Sequence, residues 1–255
     1  MPGNFPNWPY PNLIAHRGAG RHAPENTLAA IRLGALHGFT MMEFDVKLSR
    51  DEVPILLHDD TIDRTSNGSG AASQLSLKDL ADRDFGAWHS AAYAGEPIAT
   101  LYAVACYGLA NGLHANIEIK PGAGQDAHTG RLVAGRASEL WRHAGLPPLL
   151  SSFSEIALDA ARAAAPDLPR ALLIDGAVPN DWRARLDTLA CQGIHIDQRH
   201  AHPDLIADIL AAGRTLAVWT VNDPARAQEL LQAGCHAVFT DEITRITPAA
   251  MRPPN

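Results

Sequence analysis

Three acidic residues lie in short apolar segments, in a pattern that could hold a metal ion. Glu43 and Asp45 are two residues apart in a strand-like segment, so their side chains point to the same face. Glu118 lies in a second such segment, 116–120, in which polar and apolar residues alternate. An all-oxygen set of carboxylates suits a hard divalent cation, Mg²⁺ or Ca²⁺. The alternative is that each acid pairs with a base on a neighbouring strand, but three acids at one level favour the metal.

Two histidines, His16 and His58, each directly follow an apolar strand-like segment. A single histidine in such a place is more often structural than catalytic. Two of them beside a carboxylate cluster indicate a general acid and a general base, because imidazole titrates near neutral pH. His58 is alternatively a further metal ligand. The other ten of the 12 histidines lack metal-type partners at helical spacing, and most of them are expected at the surface.

Positive and aromatic side chains accompany these residues and indicate how a substrate could be bound. Arg17 can hold two phosphate oxygens with its planar guanidinium, and Lys120 offers a point charge. Without a metal, both would be ordinary counter-ions of the acids. Trp219 and Phe153 each stand at the end of a later strand-like segment, where they either pack in the core or form an apolar wall for a small polyol.

The segment 24–27, Pro-Glu-Asn-Thr, opens the first predicted helix. A proline near the start, an acid at the positive end of the helix dipole and a capping Asn or Thr are sufficient reasons for its composition. Glu25 and Asn26 could in addition brace His16 or Arg17.

Alternating strand-like and helix-like segments must position these residues. The second half of the chain repeats this alternation regularly, and Asp223, Pro224 and Gly234 mark the start and end of one helix. The first half contains two strands, 41–46 and 54–57, joined by only about six residues, too few for a parallel crossover. This pair therefore predicts a local hairpin-like excursion, and one of nine candidate strands is peripheral. Polar residues at the ends of many strands favour a closed (β/α)₈ TIM-like barrel over an open sheet.

The regular alternation breaks after the third strand, between residues 59 and 112. Gly, Ser and Asn are frequent at 66–70, and short polar helical pieces follow. We interpret 59–112 as an inserted segment above the barrel, within a single domain that spans residues 1–255.

Composition excludes several classes of protein. The net charge is −7, so no basic surplus exists for a nucleic-acid partner. No run approaches the roughly 18–20 apolar residues that span a bilayer, which argues against membrane insertion. The three cysteines are widely spaced and form no paired motif, and residues 1–10 do not resemble a signal peptide. These features together predict a cytoplasmic protein.

Taken together, the motifs resemble the glycerophosphodiester phosphodiesterase family, cytosolic bacterial type. The resemblance covers about residues 13–241, and six motifs occur in the family's order: His16-Arg17-Gly18, 24–27, Glu43-Phe44-Asp45-Val46, His58-Asp59, 116–120 and Trp219-Thr220-Val221-Asn222. It implies a (β/α)₈ fold and conversion of a small-molecule glycerophosphodiester substrate to sn-glycerol 3-phosphate and an alcohol. It also implies roles for the residues at the matching positions: a divalent metal on Glu43, Asp45 and Glu118, an acid–base pair at His16 and His58, and phosphate contacts from Arg17 and Lys120.

The sequence departs from the family pattern at two positions outside these motifs. Glu52 occupies a turn where the family usually has Gly after Asp, and Ala99 replaces a common Pro. Both departures concern loop geometry and leave the predicted site residues unchanged.

Two other functions compete with this interpretation. A phospholipase acting on intact lipids on the same barrel would need exposed apolar residues near the mouth, and the insertion contains Phe85, Trp88 and Tyr93. A non-catalytic binding barrel would be expected to have lost a ligand or a histidine, and none is missing. The sequence leaves open the head group, the metal, which histidine is the acid, whether water or the glycerol's own hydroxyl attacks, and the oligomeric state.

Overall fold

The computed structural model describes residues 8–251 and contains one nine-stranded sheet closed into a barrel. Eight parallel strands follow one another around it, and β1 closes the circle by pairing Ala15 with Met42 of β2. The predicted (β/α)₈ TIM-like fold is confirmed. The strands are β1 (Leu13–Ala15), β2 (Met41–Leu48), β3 (Pro54–Leu56), β4 (His114–Ile119), β5 (Leu149–Ser152), β6 (Arg170–Ile174), β7 (Gly193–Asp197), β8 (Thr215–Trp219) and β9 (Ala237–Thr240).

The peripheral strand is β3. It pairs antiparallel with β2, with Val46 opposite Leu56, and takes no place in the parallel circle, so β2 and β4 are direct neighbours. The predicted hairpin-like excursion is therefore present. In the turn between β2 and β3, Glu52 has a φ of 62°, a left-handed conformation that favours glycine. This conformation explains why the family that the sequence resembles usually has Gly at that position.

Helices cover the outside of the barrel. The predicted punctuation of one of them is confirmed, with Asp223 as N-cap, Pro224 in the first turn and Gly234 after the end at a φ of 98°. The helices are α1 (Leu28–Leu36), α2 (Leu77–Ala81), α3 (Leu101–Ala110), α4 (Asp126–Leu140), α5 (Glu155–Ala164), α6 (Trp182–Leu189), α7 (Pro203–Ala211) and α8 (Pro224–Gln232).

The longest helix, α4, has no clear apolar stripe in the sequence. Its buried face consists mostly of small residues, and Gly130 lies so close to α5 that a Cβ there would be 2.2 Å from the carbonyl oxygen of Ala157. Close approach of the two backbones thus replaces the large apolar side chains by which amphipathic helices are usually recognised.

Within the described residues, the hydrophobic core has three parts. The largest lies between the barrel and its helices, and a smaller one fills the barrel below its mouth with residues such as Ile14, Met41 and Ala217. A third cluster, which includes Ile62, Leu80 and Phe85, packs beneath the segment that follows β3. That segment therefore has a core of its own, while α3 at its end joins the outer helix layer beside α1 and α4.

No helix within residues 8–251 combines the length and apolar character needed to cross a bilayer. The prediction about a signal peptide at residues 1–10 falls largely outside the described residues and stays a prediction.

Candidate active site

The three predicted metal ligands lie together on two neighbouring strands, β2 and β4. The register of β2 and β4 sets Asp45 directly beside Glu118, and Glu43 lies on the same face of β2. All three side chains are buried, and each offers an oxygen within 4.8 Å of the oxygens of the other two. Within the described part of the chain, Oε1 of Glu43 is buried without a hydrogen-bond partner. This donor set fits a hard divalent cation.

Electrostatics of the cluster favour an added positive charge. Burial, followed by the charge of Asp45, raises the pKa of Glu43 to about 8 and that of Glu118 to about 7. Burial alone would also raise the pKa of Asp45, but Lys120 and Arg17 hold it well below its ordinary value. Three carboxylates at this distance repel one another, and a cation among them would relieve that repulsion.

Pairing with bases, the alternative to a metal, is present but incomplete. The Lys120 Nζ atom is 2.8 Å from Glu118 and 3.3 Å from Asp45, and the Arg17 Nε atom is 3.5 Å from Asp45. Among residues 8–251, no Lys or Arg side chain pairs with Glu43. It accepts a 2.9 Å hydrogen bond from the backbone N–H of Arg17. Two bases therefore serve three acids, and the least compensated acid is the one with the unpartnered oxygen.

His16 follows β1, and a carboxylate holds one of its two ring nitrogens. Its Nδ1 atom is 2.7 Å from a carboxylate oxygen of Asp241, and its Nε2 atom faces Glu43 at 3.7 Å. Burial lowers the pKa of His16, but the hydrogen bond to Asp241 and the charge of Glu43 outweigh this effect and raise it overall. Asp241 is held in turn by the side-chain amide of Asn222 at 2.9 Å. The Asp241 carboxylate thus orients the imidazole so that its Nε2 atom faces Glu43.

His58 lies in the segment just after β3 and is oriented in the same manner. Its Nδ1 atom is 2.7 Å from a carboxylate oxygen of Asp59. Burial lowers its pKa, and the charges of Arg17 and Lys120 lower it further, against the opposing charge of Asp45. In both predicted acid–base histidines a carboxylate therefore holds Nδ1, and both residues line the same cavity.

Arg64, from the segment after β3, joins the supports of two site residues. It donates two hydrogen bonds to Asp59, at 2.7 and 3.1 Å, and two to Glu25, both at 2.8 Å. Glu25 also accepts a 2.7 Å hydrogen bond from Arg17, as the sequence had suggested. One guanidinium thereby links the residue that orients His58 to the residue that orients Arg17.

Asn26 meets Arg17 through the backbone only, where its N–H donates a 3.1 Å hydrogen bond to the Arg17 carbonyl oxygen. Its side chain instead exchanges two hydrogen bonds with Asp45, donating to the carboxylate at 2.8 Å and accepting from the backbone N–H at 3.0 Å. Asn26 thus holds one member of the acidic cluster in place.

A cavity of about 110 Å³ opens beside the acids. At its wall, the rings of Phe153 and Trp219 meet edge to face with centroids 5.6 Å apart, and Phe153 remains 40% exposed. The structure brings all nine predicted site residues together here, eight of them in the cavity wall and Asp45 in contact with Lys120 and Arg17. The eight are His16, Arg17, Glu43, His58, Glu118, Lys120, Phe153 and Trp219.

The residues that sequence reasoning missed lie around and beneath these nine. Asp241 follows β9 just as His16 follows β1, so the same strand-end pattern could have identified it. Arg64 has no comparable signal, because it lies in the irregular segment. His195, one of the histidines expected mostly at the surface, is only 1% exposed and lines the deep part of the cavity.

Comparison with known proteins identifies the arrangement. Residues 16–245 match the family model described as the glycerophosphoryl diester phosphodiesterase family. The Bacillus subtilis protein YhdW is 31% identical over 233 residues, which cover 90% of this chain and 93% of that protein. A glycerophosphodiester phosphodiesterase of Caldanaerobacter subterraneus is 29% identical over 235 residues, with the same coverage of both chains.

A solved structure agrees with the sequence match. The phosphodiesterase of Oleispira antarctica, in complex with the product sn-glycerol-3-phosphate, superposes with a TM-score of 0.89 at 36% identity, covering 95% of this chain and 97% of that one. The prediction of a phosphodiester-hydrolysing enzyme is confirmed, and the chain belongs to the glycerophosphoryl diester phosphodiesterase family.

Proposed function

We propose that the protein hydrolyses glycerophosphodiesters to sn-glycerol 3-phosphate and an alcohol at a divalent metal, Mg²⁺ or Ca²⁺, held by Glu43, Asp45 and Glu118. The observation that carries this proposal is the cluster of three buried carboxylates within 4.8 Å of one another beside a cavity that contains two histidines. The product bound in the Oleispira antarctica relative supports the same class of substrate.

The charges of the site suit a phosphate diester. The bound cation supplies Lewis-acid stabilisation of the negative charge that grows on phosphate in the transition state. Arg17 and Lys120 line the same cavity, and their side chains add two positive charges for the non-bridging oxygens. Lys120 also lies 5.6 Å from the centre of the Phe153 ring, so phosphate and aromatic contacts adjoin each other.

His16 and His58 supply proton transfer. One takes a proton from the nucleophile and the other protonates the departing alcohol, each through the ring nitrogen that its carboxylate partner leaves free. The nucleophile is water or the glycerol's own adjacent hydroxyl, which would give a cyclic phosphate that water then opens. Phe153 and Trp219 form the apolar wall against which the carbon chain of the substrate rests.

We further propose that residues 1–255 act as one domain in the cytoplasm, without nucleic-acid or membrane partners. Free thiols support this location: Cys106, Cys191 and Cys235 are all unpaired, and two of them are buried. The net charge of −7 supports a small-molecule substrate bound by local positive charge, in place of a polyanionic partner.

A coupled assay for glycerol 3-phosphate tests the function. The protein should release it from glycerophosphocholine with Mg²⁺ or Ca²⁺ present and lose activity in excess EDTA. His16→Ala should lower kcat about 10²–10⁴-fold with an unchanged circular dichroism spectrum. Full activity in EDTA, or in His16→Ala, would refute the assignment.

The same preparation separates the competing functions. A phospholipase would hydrolyse intact phospholipid in liposomes and bind them, whereas we expect neither. A non-catalytic barrel would release no glycerol 3-phosphate under any metal condition.

A further inference from the structure

The deep end of the cavity contains buried polar groups that the proposed chemistry does not use. Asn116 and Ser151 line it from β4 and β5, and His195 lines it from β7. All three are buried, and the Asn116 amide nitrogen donates a 2.9 Å hydrogen bond to the Ser151 hydroxyl. We call these three residues the cavity floor.

Two members of the cavity floor have unused hydrogen-bonding capacity. Within residues 8–251, neither ring nitrogen of His195 has a partner, and neither does the Asn116 Oδ1 atom. A buried polar atom left unpaired destabilises the folded state, so such groups are normally found where something pairs with them. Both residues face the cavity in which the substrate is proposed to bind.

His195 is suited to a neutral, hydroxyl-bearing ligand. Burial lowers its pKa to about 3, so the ring is uncharged at neutral pH and carries one donor and one acceptor nitrogen. A hydroxyl group also donates one hydrogen bond and accepts others. A hydroxyl can therefore accept from His195 while it donates to the Asn116 oxygen, and no charge is left uncompensated.

The surroundings of the cavity floor limit what can reach it. Leu173 and Phe239 line the same region, and below it the barrel is filled by side chains such as Ile14, Met41 and Ala217. The cavity is thus closed at its deep end and open at the mouth. A variable head group needs the open end, so the part shared by all glycerophosphodiesters, the glycerol, belongs at the closed end.

We infer that the cavity floor binds the glycerol hydroxyl farthest from the phosphate, with His195 and Asn116 as its hydrogen-bond partners. This inference rests on the proposed function and adds which part of the substrate the cavity floor recognises. The floor selects substrates in which that hydroxyl is free, because an acyl chain attached to it would run into the filled barrel. Glycerophosphodiesters are accepted on this basis and lysophospholipids are rejected.

The test compares three substrates that all release choline. They are glycerophosphocholine, its analogue that lacks only the far hydroxyl (2-hydroxypropyl phosphocholine), and 1-acyl lysophosphatidylcholine. The analogue keeps the hydroxyl beside the phosphate, so either route of attack remains open to it. Wild-type protein with Mg²⁺ should show a kcat/KM about 10²-fold or more lower for the analogue, and no detectable release from the lysophospholipid.

Variants of His195 test whether the cavity floor is responsible for this discrimination between substrates. His195→Leu should lower kcat/KM for glycerophosphocholine about 10- to 10²-fold and leave the value for the analogue within about threefold of wild type. His195→Gln, which keeps a donor and an acceptor, should recover part of the loss. The exposed His143, on another surface, provides the matched control His143→Leu, which should behave as wild type.

Each outcome distinguishes the inference from the function on which it rests. If wild type hydrolyses both small diesters equally well, or His195→Leu loses the same factor on both, the inference is wrong and the proposed function stands. Efficient release from the lysophospholipid would also overturn it. If wild type releases no choline from glycerophosphocholine with metal present, the proposed function fails and the inference fails with it.

Discussion

Arg64 provides a sharp test of how the irregular segment after β3 serves the active site. Its guanidinium forms four hydrogen bonds to two carboxylates, Asp59 and Glu25, which in turn hold His58 and Arg17. Each carboxylate also has a second anchor, since Asp59 lies 2.7 Å from the His58 Nδ1 atom and Glu25 accepts a 2.7 Å hydrogen bond from Arg17. Arg64 instead restricts where those two carboxylates can lie.

We expect Arg64→Gln to affect rate far more than stability. The side chain is 45% exposed, so solvent screens its ion pairs and their loss should cost about 1 kcal/mol or less of folding free energy. A displacement of reacting groups on the order of 1 Å can cost about 10²-fold in rate. Because both carboxylates keep one anchor, the expected loss in kcat is about 10- to 10²-fold. Arg64→Lys should rescue little, since an ammonium group cannot fork to two carboxylates.

Arg185 provides the matched control. It is 38% exposed and also pairs with two carboxylates, Asp181 and Glu155, but outside the site. Arg185→Gln should therefore show a similar small change in Tm and an unchanged kcat. Steady-state assays and thermal denaturation of both variants measure the two effects separately.

A double-mutant cycle shows whether Arg64 acts through Asp59. The combined variant Arg64→Gln/Asp59→Asn should lose less activity than the sum of the two single losses, because both changes remove the same constraint on His58 while only Arg64→Gln also releases Glu25. Full activity in Arg64→Gln, or additive losses in the double variant, would refute the reasoning.

Two further predictions concern stability. Gly130→Ala should destabilise the protein by about 1–3 kcal/mol, because the added Cβ would meet the Ala157 carbonyl. Gly135→Ala on the same helix, where a Cβ would have nothing within 4 Å, should stabilise the protein by up to about 1 kcal/mol. Urea denaturation measures both changes in the free energy of unfolding. Burial lowers the pKa of His195 from its ordinary 6.5 to about 3 in the folded protein, so the unfolded state binds more protons between these pH values and stability falls with decreasing pH. His195→Gln should remove up to about 1.4 kcal/mol per pH unit of this dependence, and equal slopes in the two proteins would contradict it.

The placement of the nine site residues was predictable because a barrel converts a local pattern into a shared location. Side chains at the carboxyl ends of parallel strands meet at one mouth, whatever their separation in the chain. Residues as distant as His16 and Trp219 could therefore be assigned to one cavity from short strand-like segments alone. The two-residue spacing of Glu43 and Asp45 fixed their common face in the same way.

Other features had no local signal. The small-residue face of α4 was not recognisable as amphipathic, since its burial depends on how closely α5 approaches. The role of Arg64 depends on tertiary contacts to Glu25, which is 39 positions away in the chain. His195 and Gly193 alternate with apolar neighbours in β7, and this two-residue period did not show whether their face pointed into the barrel or toward the helices.

The peripheral position of β3 is what allows the cluster of Glu43, Asp45 and Glu118 to form. Neighbouring strands lie about 4.8 Å apart, so the direct pairing of β2 with β4 brings Asp45 beside Glu118 in register. If β3 stood between them, in the order of the chain, the two carboxylate-bearing backbones would be about 9.6 Å apart, and oxygens of three acids could not readily meet at one small ion. The short hairpin turn at residues 49–53 prevents that order, because it sends β3 back antiparallel on the outside of β2. The same turn leads the chain to His58, so one local feature of the sequence both closes the acidic cluster and places a proposed catalytic histidine beside the same cavity.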